Sequence, residues 1–185
     1  MKITNNRELI KFFPRESTKF VKEYFQNKKI NVIEVGTFFG ENANSLNKEL
    51  NIEKLFLIDP YKSYSEYKNS ENDKTNVLLD KAKQNAHKIN NKGNEVWIEK
   101  MSSEVNKEDI ISFFPIQFIY IDGNHEYEFV KEDLIKFYNI LQVGGILAGH
   151  DIEYHGVSKA VIEFVKENNL EIQFGDRRDW WIIKK

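Results

Sequence analysis

No cysteine occurs among the 185 residues, so disulfides and thiolate metal sites are both excluded. The absence fits a reducing compartment. Net charge is nearly absent as well, since 27 Lys and Arg against 29 Asp and Glu leave a formal −2. A dedicated nucleic-acid binder would carry a bulk basic field, and this chain does not. No apolar run approaches the roughly 20 residues that span a bilayer. Residues 1–8 are polar and lack the apolar core of a signal peptide. The expectation is a soluble cytoplasmic protein with neither membrane nor nucleic acid as partner. Internal repeats and low-complexity stretches are missing too. What is present is ordinary for a globular chain: 41% hydrophobic and 30% charged residues. The length suits one domain, residues 1–185, built on a single sheet.

The pattern of apolar residues predicts the order of elements. Leu9, Ile10, Phe12 and Phe13 form one helical cluster, Pro14 breaks it, and Phe20, Val21, Tyr24 and Phe25 mark a second helix opening near Ser17. These N-terminal helices, within residues 1–30, are candidates for a lid. Strands and helices then alternate. The spacing predicts strands over residues 31–36, 54–59, 95–99, 117–122, 146–149, 171–174 and 180–183. It predicts helices over 42–50, 77–89, 107–114, 129–141 and 157–165, with a polar loop at 61–72 and a helix stop at Gly144-Gly145. Such alternation implies a mainly parallel sheet covered on both faces. Only residues 175–179 separate the last two strands, too few for a crossover, so these should pair antiparallel. Trp180 and Trp181 then face opposite sides, His87 reads as a solvated residue, and His155 as a loop residue.

In parallel sheets ligands sit beyond the carboxyl ends of the strands. The first strand ends in Glu34-Val35-Gly36-Thr37-Phe38-Phe39-Gly40. Glycines let the backbone turn tightly, and the helix that follows offers unpaired N–H groups. The spacing is not the G-x-G-x-x-G of dinucleotide binders. Asp59 ends the second strand, 23 positions after Gly36, where a carboxylate has two acceptor oxygens for ribose hydroxyls. Ser102 and Ser103 follow the third strand, Asp122 the fourth, and His150-Asp151 the fifth.

E-x-G-x-x-x-G resembles the first motif of S-adenosylmethionine-dependent class I methyltransferases. Ile121-Asp122-Gly123-Asn124-His125 and Gly144-Gly145-Ile146-Leu147-Ala148-Gly149-His150-Asp151 sharpen the likeness. They resemble small-molecule O-methyltransferases of the catechol and macrolide-sugar type, and the cephalosporin-hydroxylase-like group. The similarity runs from about residue 31 to 165. It implies a Rossmann-like, seven-stranded α/β sheet in the order 3-2-1-4-5-7-6 with an antiparallel last strand, an ending that a dehydrogenase sheet would not be expected to have. It implies S-adenosylmethionine bound by Glu34, Gly36, Thr37, Phe38, Gly40, Asn42, Asp59, Ser102, Ser103 and Asp122. In particular, Glu34 and Asn42 would serve the methionine end.

The resemblance also implies a divalent cation, Mg²⁺ or Mn²⁺, on Asp122 and Asp151, with His125 as general base. Transfer of methyl to a hydroxyl needs an oxygen nucleophile. A hard cation lowers the hydroxyl's pKa, and a histidine titrating near neutrality takes the proton. His150 stands where the catechol-type enzymes have an acid, and imidazole suits manganese, iron or zinc better than magnesium. His150 is therefore either a third ligand or a supporting partner. The acceptor would be a small molecule, with a sugar among the candidates, and a homo-oligomer is compatible with the sequence. Two alternatives remain: a metal-independent methyltransferase acting on another nucleophile, and a non-catalytic module that binds S-adenosylmethionine or a nucleotide.

Overall fold

Side chains that alternate between two buried faces build the centre of the molecule. In β1 (Ile30–Val35) and β4 (Ile116–Ile121), Val32, Phe118 and Tyr120 join one apolar cluster, while Ile33, Val35, Ile119 and Ile121 join the other. Strands covered on both sides read as continuous apolar runs for this reason. The computed structural model describes residues 6–63, 72–110, 115–176 and 178–185.

The remaining strands are β2 (Ile52–Ile58), β3 (Glu95–Ile98), β5 (Leu141–Gly149), β6 (Ile172–Phe174) and β7 (Trp180–Ile183). They form one sheet in the order β3-β2-β1-β4-β5-β7-β6. β1 pairs in parallel with β2 and β4, and β7 runs antiparallel to both β5 and β6. This is the seven-stranded Rossmann-like topology expected of the sequence. Helices α1 (Asn6–Phe12), α2 (Glu16–Tyr24), α3 (Glu41–Glu49), α4 (Asn72–Ile89), α5 (Tyr127–Ile140) and α6 (His155–Glu167) flank it. Trp180 packs with α6 residues such as Val161 and Phe164, whereas Trp181 lies on the opposite face, 5.4 Å from the ring of Phe20 in α2. Burying rings of this size contributes roughly 1.5–3 kcal/mol each. No helix among the described residues is long and apolar enough to cross a membrane.

Several boundaries differ from the sequence pattern. β5 begins at Leu141, five residues early, because the chain passes straight from α5 into the sheet. Gly144 and Gly145 thus lie inside a strand, where they exchange backbone hydrogen bonds with Lys184. The helix expected over 107–114 is a single 3-10 turn, Lys107–Asp109, while residues 111–114 fall outside the described ones. Most of the 61–72 loop lies outside them as well, and α4 opens at Asn72 rather than at 77. His87 is not a freely solvated residue: its ring stacks on Trp97 with centroids 3.7 Å apart. His155 opens α6 rather than sitting in a loop.

Candidate functional site

A cavity of about 390 Å³ opens at the carboxyl ends of β1, β2, β4 and β5, which is ligand-sized. Its floor is the β1–α3 turn. Gly36 adopts φ +86°, and a Cβ there would stand 2.0 Å from the carbonyl oxygen of Asp122. Glycine is thus required because the β4 backbone passes against it, a tighter reason than ligand approach alone. Phe38 sits at φ +46°, a strained conformation for a bulky residue. Asp59 holds it there. One carboxylate oxygen accepts the Phe38 N–H at 2.8 Å and the other the Tyr61 N–H at 2.8 Å. Burial raises the Asp59 pKa, and these backbone donors pull it back.

Beneath the turn, Glu34 is fully buried and accepts a hydrogen bond from the Asn42 amide at 2.8 Å. Burial pushes its pKa up to about 8 against that bond. The second oxygen of Glu34 and the carbonyl oxygen of Asn42 find no hydrogen-bond partner among the described residues. Unsatisfied buried acceptors are costly, and a cationic ammonium would relieve them. Gly36, Thr37, Phe38, Asn42, Asp59, Ser102 and Asp122 all line the cavity. Glu34, Gly40 and Ser103 are not part of its lining. Gly40 instead packs on α4, where a Cβ would stand 2.8 Å from the Cα of Ala86.

At the other end, Asp122, His125 and Asp151 come together. Each offers a ligand atom, all within 4.8 Å of one another. Asp151 has φ +56°, which turns its carboxylate back over the site. One oxygen lies 2.9 Å from His125 Nε2 and the other 3.0 Å from His150 Nδ1. Burial alone would push the Asp151 carboxyl up. Hydrogen bonds and charge from His125 and His150 outweigh it and hold the group far below the usual carboxylate range. His150 is outside the three-residue group. Its ring supports Asp151 and lies 3.8 Å from Asp122, and its backbone carbonyl accepts the Trp180 indole N–H at 3.3 Å. The ring of His125 stacks on Tyr154 at 4.8 Å. Two carboxylates and an imidazole suit manganese, iron or zinc better than magnesium.

Two site residues escaped the sequence reading. Arg15, between α1 and α2, is 6% exposed and donates to Asp122 at 3.0 Å. It also donates to the Tyr120 hydroxyl. That hydroxyl donates in turn to Asp179 at 2.6 Å, and the other Asp179 oxygen accepts the Ser17 N–H at 2.9 Å. Burial by itself would lower the Arg15 pKa, but Tyr120, Asp122 and Asp179 reverse the shift and keep it charged. Asp133, on α5, is 3% exposed and also lines the cavity. Nothing local marks Arg15. Asp133 did leave a signal, since it falls within the buried stripe Val130, Leu134 and Phe137. α1 closes one side of the cavity through Arg7, whose guanidinium lies 3.9 Å over the Phe39 ring.

Residues 33–152 match a protein family described as "Methyltransferase domain". An uncharacterized protein of Acanthamoeba polyphaga mimivirus is 26% identical over 154 residues. The match takes in 82% of this chain and 64% of that protein, so the chain spans less than two thirds of its relative's length. A Staphylococcus aureus protein assigned as a caffeoyl-CoA O-methyltransferase superposes with a TM-score of 0.67 at 15% identity, over 98% of this chain and 93% of that one. The O-methyltransferase NovP superposes with a TM-score of 0.63 at 11% identity, over 91% and 79%. At these identities the likeness is one of fold.

Proposed function

The chain belongs to the methyltransferase family matched by residues 33–152; on that premise we propose that it is an S-adenosylmethionine-dependent enzyme that methylates a hydroxyl oxygen of a small acceptor with the help of a divalent cation. The observation that carries this reading is the convergence of Asp122, His125 and Asp151 in the same cavity as the Gly36–Asp59 turn. S-adenosylmethionine supplies the methyl group. Glu34 and Asn42 would bind its amino-acid end, Asp59 its ribose, and Ser102 its base.

Asp122 and Asp151 would hold the cation, which when bound lowers the pKa of a nearby hydroxyl. His125 would accept the hydroxyl proton, its ring fixed by Tyr154 stacking and by Asp151. The 2.9 Å contact between His125 and Asp151 also favours a second reading. With its Nε2–H given to Asp151, the imidazole presents Nδ1 as a base and needs no metal, as in triads where an acid orients a histidine.

The test is production of S-adenosylhomocysteine from S-adenosylmethionine with a panel of catechols and sugars, in EDTA and after adding Mn²⁺ or Mg²⁺. Turnover restored by the cation supports the first reading. Full turnover in chelator removes the cation and leaves the histidine–aspartate pair.

A further inference from the structure

Asp151 faces an arginine as well as its two histidines. Arg178 lies in the turn between β6 and β7, and its Nη1 stands 3.5 Å from the Asp151 oxygen that also meets His150. Its Nε lies 2.5 Å from a carboxylate oxygen of Glu153. An ionised carboxylate offers about four lone-pair sites. His125 takes one on the first oxygen of Asp151, and His150 and Arg178 share the second oxygen. The backbone fixes this placement. Arg178 has φ +73°, a left-handed conformation rare for a side chain of this size, and its carbonyl oxygen accepts the Ile152 N–H at 3.3 Å. The next residue, Asp179, is fully buried. Strain of this kind persists only where the surroundings over-determine it, and it gathers at functional sites.

The two arginines at the acid pair differ in freedom. Arg15 is buried, donates to Asp122 at 3.0 Å and is bonded to Tyr120 as well. The Arg178 side chain is 47% exposed, and its shorter contact is to Glu153, not to Asp151. A hydrogen bond of 3.5 Å is weak, and a guanidinium that gives it up still has Glu153. Two carboxylates facing two guanidiniums leave little field to draw in a cation, and turning Arg178 toward Glu153 restores it.

We propose that Arg178 sets the affinity of the site for a divalent cation: it competes with the ion for Asp151 and, once displaced, is held by Glu153. This rests on the cation reading above, with Asp122 and Asp151 as ligands. A dication and a guanidinium repel each other at one carboxylate oxygen, so only one of them occupies it at a time. Arg15 stays where it is, on the far oxygen of Asp122.

The experiment is equilibrium binding of Mn²⁺ to the full-length protein, read by the electron paramagnetic resonance signal of the free ion. Arg178→Gln should bind Mn²⁺ roughly 3- to 30-fold more tightly than wild type, because the double charge of the ion enlarges the usual worth of a half-exposed pair. If that variant fails to fold, Arg178→Asn takes its place, since asparagine tolerates a positive φ. The gain should persist in about 0.5 M KCl, which screens distant charges but not a direct contact. A gain that vanishes in salt is a general field effect and overturns the inference. Glu153→Gln should weaken Mn²⁺ binding, and by less once Arg178 is also replaced; losses that simply add in this double-mutant cycle overturn the role of Glu153. Equal Mn²⁺ affinity in wild type and the Arg178 variant overturns the inference while leaving the cation reading intact. No Mn²⁺ binding by either protein removes the cation reading and the inference together.

Discussion

The guanidinium of Arg15 lies 3.0 Å from a carboxylate oxygen of Asp122, joining residues 107 positions apart in sequence. The pair takes one oxygen of an acid in the cation-like group and leaves the other facing His150. Removing one partner of a buried pair strands the other charge, at a cost of about 3–5 kcal/mol. Arg15→Met should therefore lower the thermal midpoint by many degrees. Mn²⁺ should raise that midpoint more in the variant than in wild type, because it takes over the neutralisation of Asp122. Equal Mn²⁺ effects in thermal melts of both proteins would show that Asp122 does not see the cation.

Asp59→Ala should weaken S-adenosylhomocysteine by roughly 1.5–3 kcal/mol, the value of a charged hydrogen-bonding partner. The loss has two sources here, since the Phe38 and Tyr61 N–H groups lose their acceptor along with the ribose. Calorimetry checks it, and unchanged affinity in a folded variant would remove Asp59 from the binding site.

Glu34 makes stability depend on pH. Its folded pKa, about 8, lies above the ordinary 4.5, so between those values the native state keeps a proton that the unfolded chain has released. Native stability from this group is fully present below pH 4.5 and is lost as pH rises toward 8. Glu34→Gln removes the dependence. Denaturant unfolding should find the variant gaining on wild type steadily from pH 5 to pH 8.5, and parallel curves would contradict the shift. If the ammonium of the cofactor settles beside Glu34, binding near pH 7 should also release about one proton in wild type and none in the variant. Calorimetry in buffers of different ionisation enthalpy reads that number.

His125→Ala should lower turnover roughly 10²–10⁴-fold, the usual contribution of a positioned general base, with S-adenosylhomocysteine affinity nearly intact. A Mn²⁺ titration then separates the two roles open to this ring. Equal metal affinity in variant and wild type identifies the base, and a large loss identifies a ligand. A variant that keeps both rate and metal affinity has lost only a loop side chain.

The sheet was legible because its central strands are dense apolar runs ending in acids, as at Glu34-Val35-Gly36 and Ile121-Asp122, and because residues 175–179 are too few for a crossover. The first residues of β5 were not. Leu141-Gln142-Val143 continues the helical spacing of α5, and the two glycines that follow imitate a helix stop. Most of the polar residues at strand ends do line the cavity, since the chain must leave the sheet there. Arg15 was illegible for the opposite reason: its partners Tyr120, Asp122 and Asp179 are more than a hundred residues away. Gly40 and Ser103 fit the expected spacing but sit outside the cavity, for a motif fixes which loop a residue occupies and not which way it faces.

Asp179 bears on how the molecule comes into being. Being fully buried, it ties Ser17 of α2 to Tyr120 at the centre of the sheet. A ribosome delivers the first of these residues long before the last, and domains generally fold as units during synthesis. Until Asp179 has left the exit tunnel, the Tyr120 hydroxyl and the Ser17 N–H have no common acceptor, and the segment carrying Arg15 is held only through Tyr120 and Asp122. The wall that Arg15 gives the cavity is therefore among the last parts to set. A nascent chain can hold most of its sheet and still have no finished place for a ligand.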